Sequence, residues 1–254
     1  MNNIEAVIFD WAGTTVDYGS FAPVQAFIEG FKKFGITPTL EEVRQPMGML
    51  KWDHIKTMME MPRIQQEWLN IYGQGWENKD VDKVYRASEA AIMKILHQFA
   101  EPKPFVLETV QQLRSKGIKI GSTTGYTREM MDIVAPKAES AGYKPDYCVT
   151  PSECENKGRP YPYMIFENLR QLSVSSVKAA IKVGDTVADI KEGKNAGLTT
   201  IGVIEGSSVM GLTEEEYEAL SAEEKEEQRE RVKRIYMEAG ADYVIQDIRG
   251  ILTC

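Results

Sequence analysis

The chain has 254 residues, 43% of them hydrophobic, and 30 Lys and Arg against 38 Asp and Glu give a formal charge of −8; this length predicts one large or two unequal domains. The acidic balance argues against a nucleic-acid surface, so an anionic ligand would be drawn by local cations or a metal. No apolar run has membrane-span length, no basic region precedes an apolar one at the N-terminus, and Cys148, Cys154 and Cys254 lack metal-type spacing, which predicts a reduced, cytoplasmic protein without a membrane partner.

Ala6-Val7-Ile8-Phe9 is a short apolar run, suited to a strand buried on both faces of a parallel sheet. It ends on Asp10, with Gly13-Thr14-Thr15 close behind. In open α/β sheets ligands bind at that edge, although an Asp there can simply start a turn. From Tyr18 to about Phe99 the pattern is helical. Phe21, Val24, Phe27, Ile28 and Phe31 recur at helical spacing, and Gly35 can end that helix. Leu50, His54, Ile55 and Met58 predict a second helix closed before Pro62, and Ile64, Trp68 and Ile71 a third. Val84, Ala87, Ala91, Ile92 and Ile95 predict a long fourth over 81–99. No strand signal interrupts this block, which reads as a helical domain, 18–99, inserted into a core domain formed by 1–17 and 100–254.

From Pro102 onward helices and strands alternate. Helices are predicted at 106–116, 128–141, 161–172 and 187–196, and strands at 118–122, 147–150, 179–183 and 199–203. That rhythm means βαβ units and a parallel sheet. Residues 213–239 are dense in Glu, Lys and Arg and read as a solvated surface helix. Tyr243-Val244-Ile245 and a short final helix complete the core.

Three stretches bear on Asp10. One strand ends on Ser122, Thr123 and Thr124; Gly158-Arg159-Pro160 carries a lone cation; and Val183-Gly184-Asp185-Thr186-Val187-Ala188-Asp189 ends a second strand on a carboxylate pair. Each has a plain alternative. A Thr there equally caps the next helix, a single Arg is usually solvated, and Asp185 and Asp189, four apart, also fit a surface pair on one helix face. If the three converge on Asp10 they make a phosphate and metal site. In the helical stretch, Lys51 beside Met47, Met49, Leu50 and Trp52 is either a snorkelling surface group or an amine made reactive by desolvation. His54, three residues on, reads as a proton shuttle or a structural histidine. Met47 lines a pocket or fills space, and His97 reads as structural.

This order of motifs resembles the haloacid dehalogenase superfamily of phosphoryl-transfer hydrolases. Asp10-Trp11-Ala12-Gly13-Thr14-Thr15, Met47-Gly48-Met49-Leu50-Lys51 and Thr123-Thr124-Gly125-Tyr126-Thr127-Arg128-Glu129-Met130-Met131 are similar to its phosphonatase family, and the similarity covers nearly the whole chain. The resemblance implies a Rossmann-like parallel-sheet α/β core with an inserted α-helical cap, a Mg²⁺ cofactor and phosphonoacetaldehyde as the small-molecule substrate. It also implies a homodimer through the cap, to which the apolar helix at 21–31 could contribute.

The same resemblance implies roles. Asp10 would be nucleophile and metal ligand, joined by the Ala12 carbonyl and Asp185, with Asp189 in support. Thr124 and Arg159 would hold the transferring group, Lys51 would form an imine with the aldehyde, and His54 would move protons. Met47, Gly48, Gly125 and Tyr126 would contact substrate. In the phosphomonoesterases of the superfamily the position of Ala12 carries a second Asp, which protonates the leaving alkoxide; a methyl group cannot. A carbon–phosphorus substrate removes the need for that acid, because its carbon leaving group is stabilised by delocalisation into a protonated imine.

Overall fold

The computed structural model describes residues 3–47 and 51–254. In chain order the elements are β1 (Ala6–Phe9), α1 (Phe21–Lys32), α2 (Leu40–Arg44), α3 (Lys51–Met59), α4 (Pro62–Tyr72), α5 (Asn78–Ile95), α6 (Val106–Ser115), β2 (Lys119–Thr123), α7 (Arg128–Ser140), β3 (Tyr147–Val149), α8 (Tyr163–Gln171), β4 (Ala180–Gly184), α9 (Val187–Ala196), β5 (Thr199–Val203), α10 (Glu214–Ala219), α11 (Ala222–Glu238) and β6 (Tyr243–Ile245). They fall into two compact units, Met1–Ser20 with Phe99–Cys254, and Phe21–Gln98.

The first unit is an α/β sandwich on a six-stranded sheet of order β3-β2-β1-β4-β5-β6, with every neighbouring pair parallel. All four residues of β1 and all five of β4 are buried, as strands covered on both faces require. The strand order reverses direction at β1, and at such a switch point a crevice opens beyond the carboxyl ends of the strands. Register fixes what lies there. Phe9 pairs with Ser122 on one side and Val183 on the other, so Asp10, Thr123 and Gly184 are the next residues at one edge.

Two expectations are corrected in this unit. Helix α8 begins at Tyr163, later than the predicted 161, because Pro160 and Pro162 disfavour helical backbone before them. Residues 213–239 are not one solvated helix but two, α10 and α11, restarted by capping boxes at Thr213/Glu216 and Ser221/Glu224. Nor are they wholly solvated: Tyr217, Val232 and Tyr236 are buried with Ile190, Ile204 and Met210. Three apolar residues among so many charges leave a weak hydrophobic pattern, yet each buried aromatic contributes about 2–3 kcal/mol.

The second unit is all helical. Val24, Phe27 and Phe31 of α1 pack with Ile55, Met58 and Met59 of α3, Ile64 and Trp68 of α4, and Val81 and Val84 of α5. The stripe that the sequence offers for a dimer contact is therefore largely spent inside this core; Ile28 is only partly buried against it. Pro62 at the first turn of α4 and left-handed Gly73 after its last turn set that helix's ends. His97 lies on the exposed turn that follows α5. Among the described residues no helix is long and apolar enough to cross a membrane.

Candidate active site

The loop leaving β1 is wound tightly around Trp11. The N–H groups of Thr14, Thr15 and Val16 all donate to the Trp11 carbonyl, at 3.1, 2.8 and 3.0 Å, while the Asp10 N–H donates to Val183 O at 2.9 Å. The indole is fully buried, donates to Ser122 Oγ at 2.9 Å and meets the Tyr143 ring edge-on. Position 13 must be glycine twice over: its φ is +84°, and a Cβ there would lie 2.1 Å from Asp185 Oδ2. Buried Lys103 ties the loop down by donating to the carbonyls of Gly13 and Glu205.

Asp10, Asp185 and Asp189 are buried, and each offers a carboxylate oxygen within 4.8 Å of the other two. Thr14 Oγ1 donates to Asp185 Oδ1 at 2.9 Å, the Ser208 N–H to Asp185 Oδ2 at 2.8 Å, and the Tyr236 hydroxyl to the Asp185 carbonyl at 2.5 Å. Asp189 closes a capping box with Thr186, whose Oγ1 donates to Asp189 Oδ2 at 2.6 Å. This box excludes the alternative in which Asp185 and Asp189 form a surface pair on one helix face. Thr186 is the N-cap, so Asp189 lies in the first turn of α9 and Asp185 on the loop before it. Gly184 makes room, since a Cβ there would stand 2.2 Å from Asp189 Cγ.

The electrostatics show what this cluster lacks. Burial, and then the charges of Asp189 and Asp185, push the Asp10 carboxyl up to about 8 against the pull of Arg159. Burial and Asp189 push Asp185 up as well. Burial would raise Asp189 too, but Arg159 and Lys182 outweigh it and hold that carboxyl below its usual range. With Glu192 these make four buried carboxylates against the three cations Arg159, Lys182 and Lys103, so the negative charge exceeds what the side chains balance. The hard oxygen donors of Asp10, Asp185 and Asp189 fit a divalent cation of the magnesium, calcium or manganese type.

Opposite the acids is a cationic wall. Arg159 contacts Asp10 Oδ1 at 2.5 Å, Asp189 Oδ1 at 3.0 Å and Glu192 Oε2 at 3.0 Å, and donates to Thr123 Oγ1 at 3.0 Å. Lys182, fully buried in β4, reaches Asp189 at 2.9 Å, Glu192 at 3.3 Å and Thr123 Oγ1 at 2.9 Å. Sequence reading missed Lys182, Glu192 and Lys103. The available signal was a lysine inside the otherwise apolar Ala180-Ile181-Lys182-Val183, where a charge without partners would cost several kcal/mol.

The hydroxyls at the end of β2 divide their work. Ser122 is structural, held by Trp11 and by the Asn168 side chain, which pairs with both its backbone groups. Thr123 belongs to the ion network. Thr124 is buried and its Oγ1 accepts the Tyr126 N–H at 3.1 Å, while Thr127 is the N-cap of α7. Gly125 is exposed, with open space where a side chain would stand. The Tyr126 ring is buried and its hydroxyl has no hydrogen-bond partner among the described residues. Burial, with Asp17, Asp10 and Asp185, holds that phenol protonated far above its ordinary range.

The remaining named residues lie in the helical unit. Lys51 opens α3 and is half-buried. Burial lowers its amine to about 8, against the opposing pull of Glu89. His54, one turn on, is buried and stacked on Phe27 at 4.1 Å. Burial lowers it to about 4 despite backbone hydrogen bonds at Val43 and Pro46, and its Nε2 has no hydrogen-bond partner among the described residues. A neutral imidazole with a vacant ring nitrogen suits an acceptor of protons. Met47 is partly buried against the unit's core. Gly48, with Met49 and Leu50, lies outside the described residues.

The chain matches the family described as haloacid dehalogenase-like hydrolase over residues 4–197, and a second, HAD-hydrolase-like family over residues 156–249. It is 52% identical to a phosphonoacetaldehyde hydrolase of Lysinibacillus sphaericus over 98% of this chain and 92% of that protein. It is 53% identical to a phosphonoacetaldehyde hydrolase of Bacillus cytotoxicus over 98% and 94%. Among solved structures, a phosphonoacetaldehyde hydrolase-like protein from Oleispira antarctica superposes with a TM-score of 0.91 at 38% identity, over 99% of this chain and 91% of that one.

Proposed function

The chain belongs to the haloacid dehalogenase-like hydrolase family, and on that premise we propose that it is a phosphonoacetaldehyde hydrolase, cleaving the carbon–phosphorus bond to give acetaldehyde and phosphate. The observation that carries this reading is Ala12, two residues after the site carboxylate of Asp10, where ester-cleaving relatives need an acid. With it goes an amine, Lys51, lowered to about 8 by burial. The near-full-length identity to proteins of that name supports the same assignment.

Neutral Lys51 attacks the aldehyde carbon to give a carbinolamine, which takes up one proton and loses water to become a protonated imine. His54 and its vacant ring nitrogen suit the proton transfers of that step. Asp10 then attacks phosphorus. The electron pair of the carbon–phosphorus bond passes into the imine, giving an enamine on Lys51 and an acyl-phosphate on Asp10. The enamine is protonated at carbon and hydrolysed to acetaldehyde, and a second water releases phosphate from Asp10. Thr124 and Arg159 hold the phosphoryl oxygens, with Tyr126 as a donor. Arg159 must then exchange part of its grip on Asp10 for the substrate. Gly125, Met47 and Gly48 contact the substrate.

We assign the cation to Mg²⁺, held by Asp10, the Ala12 carbonyl and Asp185, with Asp189 supporting. Once bound it screens the repulsion between carboxylate nucleophile and anionic phosphonate. The helical unit would serve as a cap and as the surface of a homodimer, and a cytoplasmic setting suits three cysteines that form no disulfide among the described residues.

Phosphate release from phosphonoacetaldehyde and from p-nitrophenyl phosphate, measured side by side, tests this reading. The phosphonate should be favoured by several orders of magnitude in kcat/KM, and Ala12→Asp should not improve its cleavage. Comparable values for the two substrates would instead make the protein an ester phosphatase.

A further inference from the structure

The imine chemistry makes two conflicting demands on one nitrogen. Lys51 must lose its proton to attack the aldehyde. Its imine, a weaker base than the parent amine, must keep one to accept the electron pair from carbon. Apolar walls serve the first demand and oppose the second. A fixed anion beside the nitrogen supplies what the walls do not.

The helical unit contains such an anion. Lys51 shares a cavity of about 10 Å³ with Tyr85, Ser88 and Glu89 of α5 and with Pro23, Ala26 and Phe27 of α1, room for one water at most. Glu89 is the charged group facing Lys51 in that cavity; α1 presents apolar side chains there, and α4, which packs on α3, lines no part of it. Glu89 is itself fixed, because the Tyr85 hydroxyl donates to Glu89 Oε1 at 2.7 Å. Burial and the neighbouring Glu89 raise the Tyr85 phenol, so it stays a donor. The hydroxyl also draws charge from the carboxylate and moderates its hold on the amine.

Resting on the imine reading above, we propose that Glu89, oriented by Tyr85, is the counter-ion of Lys51: a positioning residue that keeps the imine nitrogen cationic while the carbon–phosphorus bond breaks. The two residues act in opposite directions. Removing the Glu89 charge destabilises the ammonium and the protonated imine alike. Removing the Tyr85 hydroxyl concentrates the charge and stabilises both.

The test is the pH dependence with which an amine-selective reagent labels Lys51, read by peptide mass mapping on the Mg²⁺-loaded enzyme. Glu89→Gln should lower the midpoint by on the order of 1 pH unit and lower kcat about tenfold or more. Glu89→Asp, which keeps the charge, should recover most of the midpoint. Tyr85→Phe should move the midpoint the other way. General damage to the packing would not produce opposite signs. An unchanged midpoint in Glu89→Gln, or an unchanged kcat, overturns the proposal; if that variant does not fold, an unchanged or lowered midpoint in Tyr85→Phe does so. A borohydride adduct mapping to another lysine would instead sink the imine reading and leave the labelling result intact.

Discussion

Lys182 and Lys51 are both lysines removed from solvent, and their surroundings give them opposite chemistry. In the α/β unit, Lys182 is fully buried among Asp189, Glu192 and Thr123, each within 3.3 Å. Its charge is matched, so it is an anchor. In the helical unit, Lys51 opens a helix against apolar side chains, and burial takes its amine down to about 8. Desolvation eases loss of the proton from Lys51, whereas close ionic pairing makes Lys182 a fixed cation. The carboxylates at the sheet edge are likewise crowded, with donors that fit a metal ion, while the Lys51 cavity is lined mostly by apolar side chains with Glu89 facing the amine.

The sharpest way to break this account is at the proposed nucleophile. Asp10→Asn keeps the shape and removes charge and reactivity, so turnover should fall on the order of 10⁴-fold or more while circular dichroism shows an unchanged fold. Excess chelator should abolish activity, and Mg²⁺ should restore it. Lys51→Arg comes next, since a guanidinium stays protonated. Phosphonoacetaldehyde cleavage should fall about 10³-fold or more, with binding of Mg²⁺ by calorimetry unaltered. Appreciable turnover in that variant would end the contrast between the two lysines.

Lys182 should show the reverse pattern, a loss of stability before any loss of chemistry. Lys182→Met leaves Asp189 and Glu192 short of a partner inside the sheet, which should cost about 3–5 kcal/mol in denaturant unfolding; a loss under 1 kcal/mol would show that Arg159 alone balances those acids. The pH profile gives a smaller effect. Below the Lys51 value of about 8, the neutral amine falls about tenfold per pH unit. kcat/KM should therefore climb toward pH 8 and level off, and a profile flat from pH 6 to 8 would contradict the lowered amine. Last, Tyr236→Phe removes the donor to the Asp185 carbonyl and should cost about 1 kcal/mol, read as a lower melting temperature with kcat little changed.

What the sequence made legible follows from the range of the interactions concerned. The strands could be read because β1 and β4 are buried on both faces and appear as short apolar runs, β4 interrupted only by Lys182, and Asp10 and Asp185 could be placed because each follows such a run directly. The ion network could not. Arg159, Lys182 and Glu192 meet from three separate elements, and pairing across the sheet leaves no local period. Tyr236 was hidden for another reason: it is buried from a helix whose other residues are mostly charged, so its link to Asp185 appears only in three dimensions. The counter-ion Glu89 lies 38 residues from Lys51 in sequence and meets it only because α3 packs against α5.

The central claim is that Lys51 joins the substrate covalently, and reductive trapping tests it most directly. Borohydride added with phosphonoacetaldehyde should inactivate the enzyme and leave a reduced adduct on the peptide carrying Lys51, with protection when substrate is omitted. Full activity after that treatment, or an adduct on any other lysine, would contradict it.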